Sequence, residues 1–352
     1  MSDKEKLKTA IRGKLLFPFI AVLLLLLSAC GAETKKEPVH VDRTVSVFGT
    51  SARFSVEGKE AEKAVAECEE RLKLISNELN AKNKDGCITK LNAAAGSGEW
   101  TKLSPEAWHI LSVSQKYSEL TDGAWDITIR PLSSLWRRSL KKDTLPSEDD
   151  IKAAQEKVGS EKLELREEDK SARLTVQGMG LDLGGVIKGY ALDECRRIYE
   201  KHKVKGLIDL GTSSIAAVGE KKDGEPFRIA LRHPRKEPPE FLGVLPLKNA
   251  VLSTSGDYEH FIIKDGIRYH HILDTRTGAP VQNGLSSVSI RISADEKDAG
   301  LLSDILSTAV FVMGKEKALL LLPSLPVKAE ASFTDDKGAV SGELGKHIEN
   351  IK

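Results

Sequence analysis

The chain has 352 residues, with 53 lysines and arginines against 52 aspartates and glutamates, a formal net charge of +1. That length holds one large domain or two ordinary ones, and 40% hydrophobic with 30% charged residues excludes wholesale disorder. The near-zero charge also argues against a dedicated nucleic-acid binder, which needs a basic surface to displace counterions.

Lys4, Lys6, Lys8, Arg12 and Lys14 precede an apolar run from Leu15 to Leu27, followed by Ser28-Ala29-Cys30. Such a run is too short to span a bilayer comfortably but suits the hydrophobic region of a signal peptide. The L-S-A-C-G ending resembles the lipobox of bacterial lipoproteins, in which the cysteine is lipidated and becomes the new N-terminus. The alternatives are an ordinary cleavable signal with a chance cysteine, or a short membrane anchor. Basic flank, run length and cysteine position together favour the lipobox. The expectation is a signal peptide over residues 1–29, an acylated (palmitate-type) Cys30, and an extracytoplasmic protein on the periplasmic face of the inner membrane. Residues 30–42 then read as a flexible tether, and 43–352 as the folded domain. Cys68, Cys87 and Cys195 cannot all pair within one chain, so they read as small buried hydrophobes without zinc-type spacing.

Residues 45–56 alternate as an opening strand. Ala61, Ala64, Val65, Cys68, Leu72, Ile75 and Leu79 then recur at helical steps. A second helix starts at an N-cap, Ser104, with Pro105 at its first position. The polar stretch 141–173 reads as a surface excursion. Residues 174–183 read as a strand entering a helix that ends near Lys203. Residues 207–292 are strand-rich, and a helix pair, 299–313 and 316–322, follows with Gly314 as the stop. Helices and strands segregate, which makes the class α+β. Neither a dinucleotide G-x-G-x-x-G after a strand nor a P-loop is present.

Three segments could carry chemistry. Asp304 and Thr308 share one helix face at an i, i+4 spacing, a donor pair suited to a hard cation. The alternative is a solvent-facing carboxylate and a threonine bonding back to the carbonyl of 304. L-D-L-G-G-V-I-K-G-Y-A-L-D, 181–193, joins a strand to a helix through Gly184-Gly185 and presents Lys188. That suits a phosphate, though a plain tight turn would read the same. In Y-H-H-I-L-D-T-R-T-G-A-P, 269–280, a D-T-R-T-G turn follows His270 and His271, which alternate across a strand so that only one can face a site.

Taken together with F-G-T at 48–50, C-I-T-K-L-N at 87–92, D-G-A-W-D-I-T-I-R-P-L at 122–132, S-T-S-G-D-Y at 253–258 and S-D-I-L-S-T-A at 303–309, these segments resemble the ApbE family, the FAD:protein FMN transferases. The resemblance runs from about Val45 to Leu322. It implies two intertwined α/β halves, related to the T-fold, with FAD in the cleft between them. It implies a Mg²⁺ ion at the FAD pyrophosphate, held by the side chains of Asp304 and Thr308 and backbone oxygens of Gly185 and Ser307. Flavin-nucleotide contacts carry over to Phe48, Ala124, Trp125, Asp126, Asp182 and Lys188, and the family's histidine matches His271. The implied reaction moves FMN from FAD to a threonine or serine hydroxyl of a partner flavoprotein, as a phosphoester, with AMP released. Asp304 and His271 are its catalytic candidates. An FAD pyrophosphatase, or a flavin-binding lipoprotein without chemistry, is the alternative; retention of both Asp304 and Thr308 weighs against a pure carrier. Three positions depart from the pattern: Thr275 replaces a proline, Gly211-Thr212-Ser213-Ser214 replaces a glycine pair, and Lys82 stands where an aromatic is usual. On sequence Asp304 also reads as a helix-surface residue of little weight in packing, and His270 as freely replaceable.

Overall fold

The computed structural model describes residues 39–79, 83–237 and 240–350, so Cys30 and Lys82 lie outside the described residues. The opening strand is two strands, β1 (Val39–Val47) and β2 (Thr50–Gly58), paired antiparallel in register Val47↔Thr50. Phe48 and Gly49 between them take φ of 54° and 76°. Two successive left-handed residues form the tight turn whose twist suits a hairpin. Strand β1 begins at Val39 and buries Val41 in the core, so the last four residues assigned to the 30–42 tether belong to the sheet.

Helix α1 (Ala61–Leu79) buries the apolar stripe read from the sequence. Helices α2 (Cys87–Ala93) and α3 (Pro105–Leu120) follow, the latter capped by Ser104 Oγ accepting from the Ala107 N–H at 3.2 Å. The chain continues through α4 (Arg130–Lys141) and α5 (Glu148–Gln155). The stretch 141–173 is therefore more than surface excursion. It contains α5 and the strand Leu163–Arg166, and buries Ala154, Val158 and Leu163 among many charges. The strand expected over 174–183 does not form either; only Leu174 belongs to one, Ser171–Leu174. Residues near 180 are instead fixed by a bridge between Ile129 and Gly180 and by Asn92, whose side chain bonds both the N–H and the carbonyl of Leu181.

Beyond α6 (Ile187–His202) come β3 (Lys205–Leu210), β4 (Ser214–Val218), β5 (Ala250–Gly256) and β6 (Leu285–Ser293). Helices α7 (Ala299–Met313) and α8 (Lys315–Leu321), then β7 (Ala329–Asp335) and β8 (Val340–Ser341), complete the chain. These eight strands form one antiparallel sheet in strict chain order, β1 to β8. The order resolves into two successive halves of the same plan. In each, a strand pair is followed by helices and a second strand pair, and the halves meet where β4 pairs with β5. The α+β class and the two halves are as expected. Their interlocking comes from segments outside the sheet: Trp136 of α4 donates from Nε1 to the Gly278 carbonyl at 2.7 Å, joining the excursion of one half to that of the other.

Helices α1, α6 and α7 cover one face of the sheet, with Leu72, Tyr199, Ile305 and Phe311 in the main core. On the other face the strand pair Phe227–Arg232 and Phe241–Leu247 packs on Ile215, Ala217 and Leu252. Strands β4 and β5 are thus sandwiched on both faces. Residues Cys68, Cys87 and Cys195 are all buried.

Candidate active site at the seam

Asp304 of α7 lies at this seam and is 5% exposed. Its Oδ1 accepts from Ser214 Oγ of β4 at 2.8 Å and from Ser253 Oγ of β5 at 2.7 Å, and its Oδ2 accepts from the Gly189 N–H of α6 at 2.6 Å. One carboxylate therefore joins both halves of the sheet and both covering helices. The Gly189 bond depends on an intimate helix crossing. A Cβ on Gly189 would lie 2.1 Å from the Gly300 carbonyl oxygen, and one on Gly300 would lie 2.3 Å from the Gly189 oxygen. Burial raises the Asp304 pKa from its ordinary value, opposed by the Lys188 charge and the three hydrogen bonds. Asp304 is thus no helix-surface residue, and it holds the fold together as well as facing the site.

Thr308, one turn on, is half-buried, and its Oγ1 lies 3.1 Å from Ser255 Oγ of β5. The back-bond to the carbonyl of 304 is made by its neighbour instead, Ser307 Oγ donating at 3.0 Å. Gly185, exposed at the start of α6, stands opposite: a Cβ there would lie 3.2 Å from the Trp125 ring and 3.9 Å from Thr308 Oγ1. The residues expected to hold a cation are therefore gathered in one place, and their donors are oxygens, as a hard divalent cation requires.

Lys188 bonds to Ser213 Oγ, and its charge acts on Asp304, Asp209 and His271. It is the charge common to the groups of this site. The N-terminal amides of α6 are largely spent. Gly184 donates to Asp182 Oδ1, Val186 and Ile187 to the Leu183 carbonyl, and Gly189 to Asp304. An anion here would meet the ammonium of Lys188 rather than a backbone cradle.

Burial works to raise the Asp182 pKa, but bonds from Ser133 Oγ at 2.6 Å and the Gly184 N–H, with the Arg137 charge, lower it on balance. Asp182 is ionised and held from α4. The loop carrying Ala124, Trp125 and Asp126 hangs on Thr121, whose carbonyl accepts from the Ala124 N–H and whose Oγ1 accepts from the Trp125 N–H. Asp126 Oδ1 is committed to the N–H and hydroxyl of Thr128, while burial raises its pKa. Trp125 Nε1–H is buried with no acceptor among the described residues. It is the six-membered edge of the ring, not this N–H, that lies against Gly185.

Phe48 stands at the same end of the sheet as Ser213: β2 pairs with β3 at Ala52↔Leu210, and the Gly211 N–H donates to the Ser51 carbonyl. A bulky residue at positive φ is strained, a cost that persists where the surroundings fix it. Thr212, in the segment expected to depart from a glycine pair, is strained in the same way, at φ 63°. Thr275, in place of proline, donates from Oγ1 to the Gly123 carbonyl at 3.3 Å and so ties its turn to the 124–126 loop.

His271 is exposed, its ring edge-on to His260 at 5.6 Å. Although the residue reaches solvent, the protein packed round the ring desolvates it, and with His270 and His260 adjacent its pKa is lowered to about 4. It is neutral at pH 7. The strand Ile267–His270 ends before His271, which lies in a bend, so the two do not alternate along it as expected, and His270 is not freely replaceable. Buried, it donates from Nε2 to the Val281 carbonyl and accepts from the Ile272 N–H at Nδ1.

Sequence pattern alone does not mark Ser213, Ser214, Ser253 and Ser255 as the partners of Lys188, Asp304 and Thr308; the hydroxyl-rich G-T-S-S and S-T-S segments are its available signal.

The fold and site define an α+β protein of two like halves, with hard oxygen donors and a lysine gathered at their seam. A family model described as the ApbE family matches residues 48–333, and the chain belongs to that family. A FAD:protein FMN transferase of Klebsiella pneumoniae is 32% identical over 252 residues, 71% of this chain and 76% of the relative. One from Treponema pallidum is 29% identical over 347 residues, covering 92% and 93% of the two chains. Among solved structures, the ApbE protein of Thermotoga maritima superposes with a TM-score of 0.78 at 28% identity, over 89% of this chain and all (100%) of the other.

Proposed function

We propose that this chain transfers FMN from FAD to a threonine or serine hydroxyl of a partner flavoprotein. The observation that carries the reading is the convergence of Asp304, Thr308, Gly185 and Lys188 at the seam, all within the stretch 48–333 that the family model matches. The acceptor hydroxyl attacks the FMN phosphorus, a phosphoester bond forms, and the bond to the AMP phosphate breaks. Such a reaction asks mainly for positioning and charge neutralisation. Lys188, tied to Ser213, lies where its ammonium can meet the pyrophosphate and the AMP leaving from it. A Mg²⁺ ion on the Asp304 carboxylate, the Thr308 hydroxyl and the carbonyls of Gly185 and Ser307 would neutralise the same charge. His271, neutral and open to solvent, is the group able to take the hydroxyl proton. The Trp125 ring edge beside Gly185 and the strained Phe48 turn are the offered contacts for the flavin nucleotide.

We propose further that Cys30 carries lipid and anchors the enzyme outside the cytoplasm, where covalent attachment keeps flavin on exported redox proteins. Cys30→Ser should abolish acyl labelling of the full chain; unchanged labelling contradicts the assignment.

Incubation with FAD, Mg²⁺ and a candidate acceptor tests the reaction. Flavin fluorescence that stays with the acceptor through denaturing electrophoresis is the expected result. The exposure of His271 leaves water as a competing acceptor, so free FMN alone would favour a pyrophosphatase and unchanged FAD a carrier.

A further inference from the structure

The hydroxyls beside Thr308 form a chain with one direction only. Ser307 Oγ bonds the Asp304 carbonyl at 3.0 Å, and since a carbonyl cannot donate, the single Ser307 proton is spent there. The 2.9 Å contact between Ser255 Oγ and Ser307 Oγ then requires Ser255 to donate. With that proton used, the 3.1 Å contact between Ser255 Oγ and Thr308 Oγ1 requires Thr308 to donate. All three bonds coexist only in the order Thr308 to Ser255 to Ser307 to the Asp304 carbonyl.

The consequence falls on Thr308. A hydroxyl ligates a cation through a lone pair, and its proton must point elsewhere. Here the proton is held toward β5, which leaves the oxygen lone pairs of Thr308 for the side where Gly185 stands. We propose that Ser255 is a positioning residue for the cation site, acting through Thr308 by fixing the direction of its hydroxyl proton. It touches neither substrate nor reacting atoms in this role. The inference rests on the cation reading given under the proposed function.

Binding of Mn²⁺ to the full chain in the presence of ADP, which supplies a pyrophosphate but no FMN to transfer, tests it through the free-Mn²⁺ paramagnetic signal. Ser255→Ala should weaken Mn²⁺ binding by about tenfold or more, the usual effect of removing a residue that orients a ligand. The thermal midpoint should be little changed, and Ser255→Thr should restore binding. Ser307→Ala, which frees Ser255 to donate to Thr308 instead, should weaken binding in the same direction. In the Thr308→Val background Ser255→Ala should cost nothing more, because the two act through one oxygen. Wild-type affinity in Ser255→Ala, or a loss that adds to that of Thr308→Val, would overturn the role of Ser255 alone. Absence of Mn²⁺ binding by the wild-type chain would overturn the cation reading and this inference with it.

Discussion

Alanine at position 304 would leave the Ser214 hydroxyl and the Gly189 N–H without their acceptor in the buried interior, while Ser253 Oγ keeps Ser303 Oγ at 2.7 Å. Each stranded donor costs about 1–3 kcal/mol, so Asp304→Ala should destabilise the fold by several kcal/mol as well as stop transfer. Asp304→Asn separates the two effects. Its Oδ1 keeps both serines, and only the Gly189 bond is lost. The sign of the linkage supports this choice. The folded pKa of Asp304 is raised, so its protonated form is favoured in the fold, and ionisation costs stability as pH rises through the folded value. Asparagine should therefore fold at neutral pH, with no more than the roughly 1–3 kcal/mol loss of the one stranded Gly189 N–H, while losing Mg²⁺-dependent activity. An active Asp304→Asn enzyme in calorimetrically normal condition would remove the carboxylate from the chemistry. His271 has the opposite character. With its pKa lowered to about 4 it is neutral over the working range and protonates only in acid. If it accepts the hydroxyl proton, the single-turnover rate should fall as pH drops toward 4, and His271→Ala should slow transfer by roughly a hundredfold and abolish that acid limb. The FAD dissociation constant should hardly move, since Lys188 and the 124–126 loop remain. Parallel losses of affinity and rate would mean that the residue orients the nucleotide instead.

Helices α6 and α7 bring the site together, and their contact is backbone on backbone. In Gly300→Ala the new methyl meets the Gly189 carbonyl, which must move, and the Gly189 N–H goes with it away from Asp304. A loss of about 1–3 kcal/mol is expected from the overpacking, along with weakened Mn²⁺ binding; full stability and full affinity would show that the crossing can relax harmlessly. Elements with a strong single period were legible in the sequence. The stripe from Ala61 to Leu79 and the Ser104-Pro105 start predict α1 and α3 because each has one wet face and one dry one. Strands β4 and β5 gave no such signal: buried on both faces, they carry no alternation. The i, i+4 spacing revealed Asp304 and Thr308. Their partners could not be read, because Ser214 and Ser253 lie 90 and 51 residues away and meet Asp304 only after the two halves pair. The strand expected over 174–183 failed for a related reason. Its apolar residues are anchored by the side chain of Asn92 and the Ile129 bridge, neither of them a strand partner visible locally.

At the scale of the whole molecule, the first element among the described residues is β1, from Val39. A chain starting at Val39 keeps that strand whole and should transfer flavin in solution. One starting at Asp42 loses Val41 from the core and should be less stable. The two-half architecture places one carboxylate where the halves of the sheet and both covering helices meet. The central claim is that this site joins FMN to a protein. It is tested most directly by intact mass spectrometry of the acceptor after incubation with the enzyme, FAD and Mg²⁺, with AMP measured in the same reaction. The account predicts a mass gain of one FMN less one water on a threonine or serine, matched one for one by AMP, and absent with Asp304→Asn. AMP released with FMN left free, and an acceptor of unchanged mass, would contradict it.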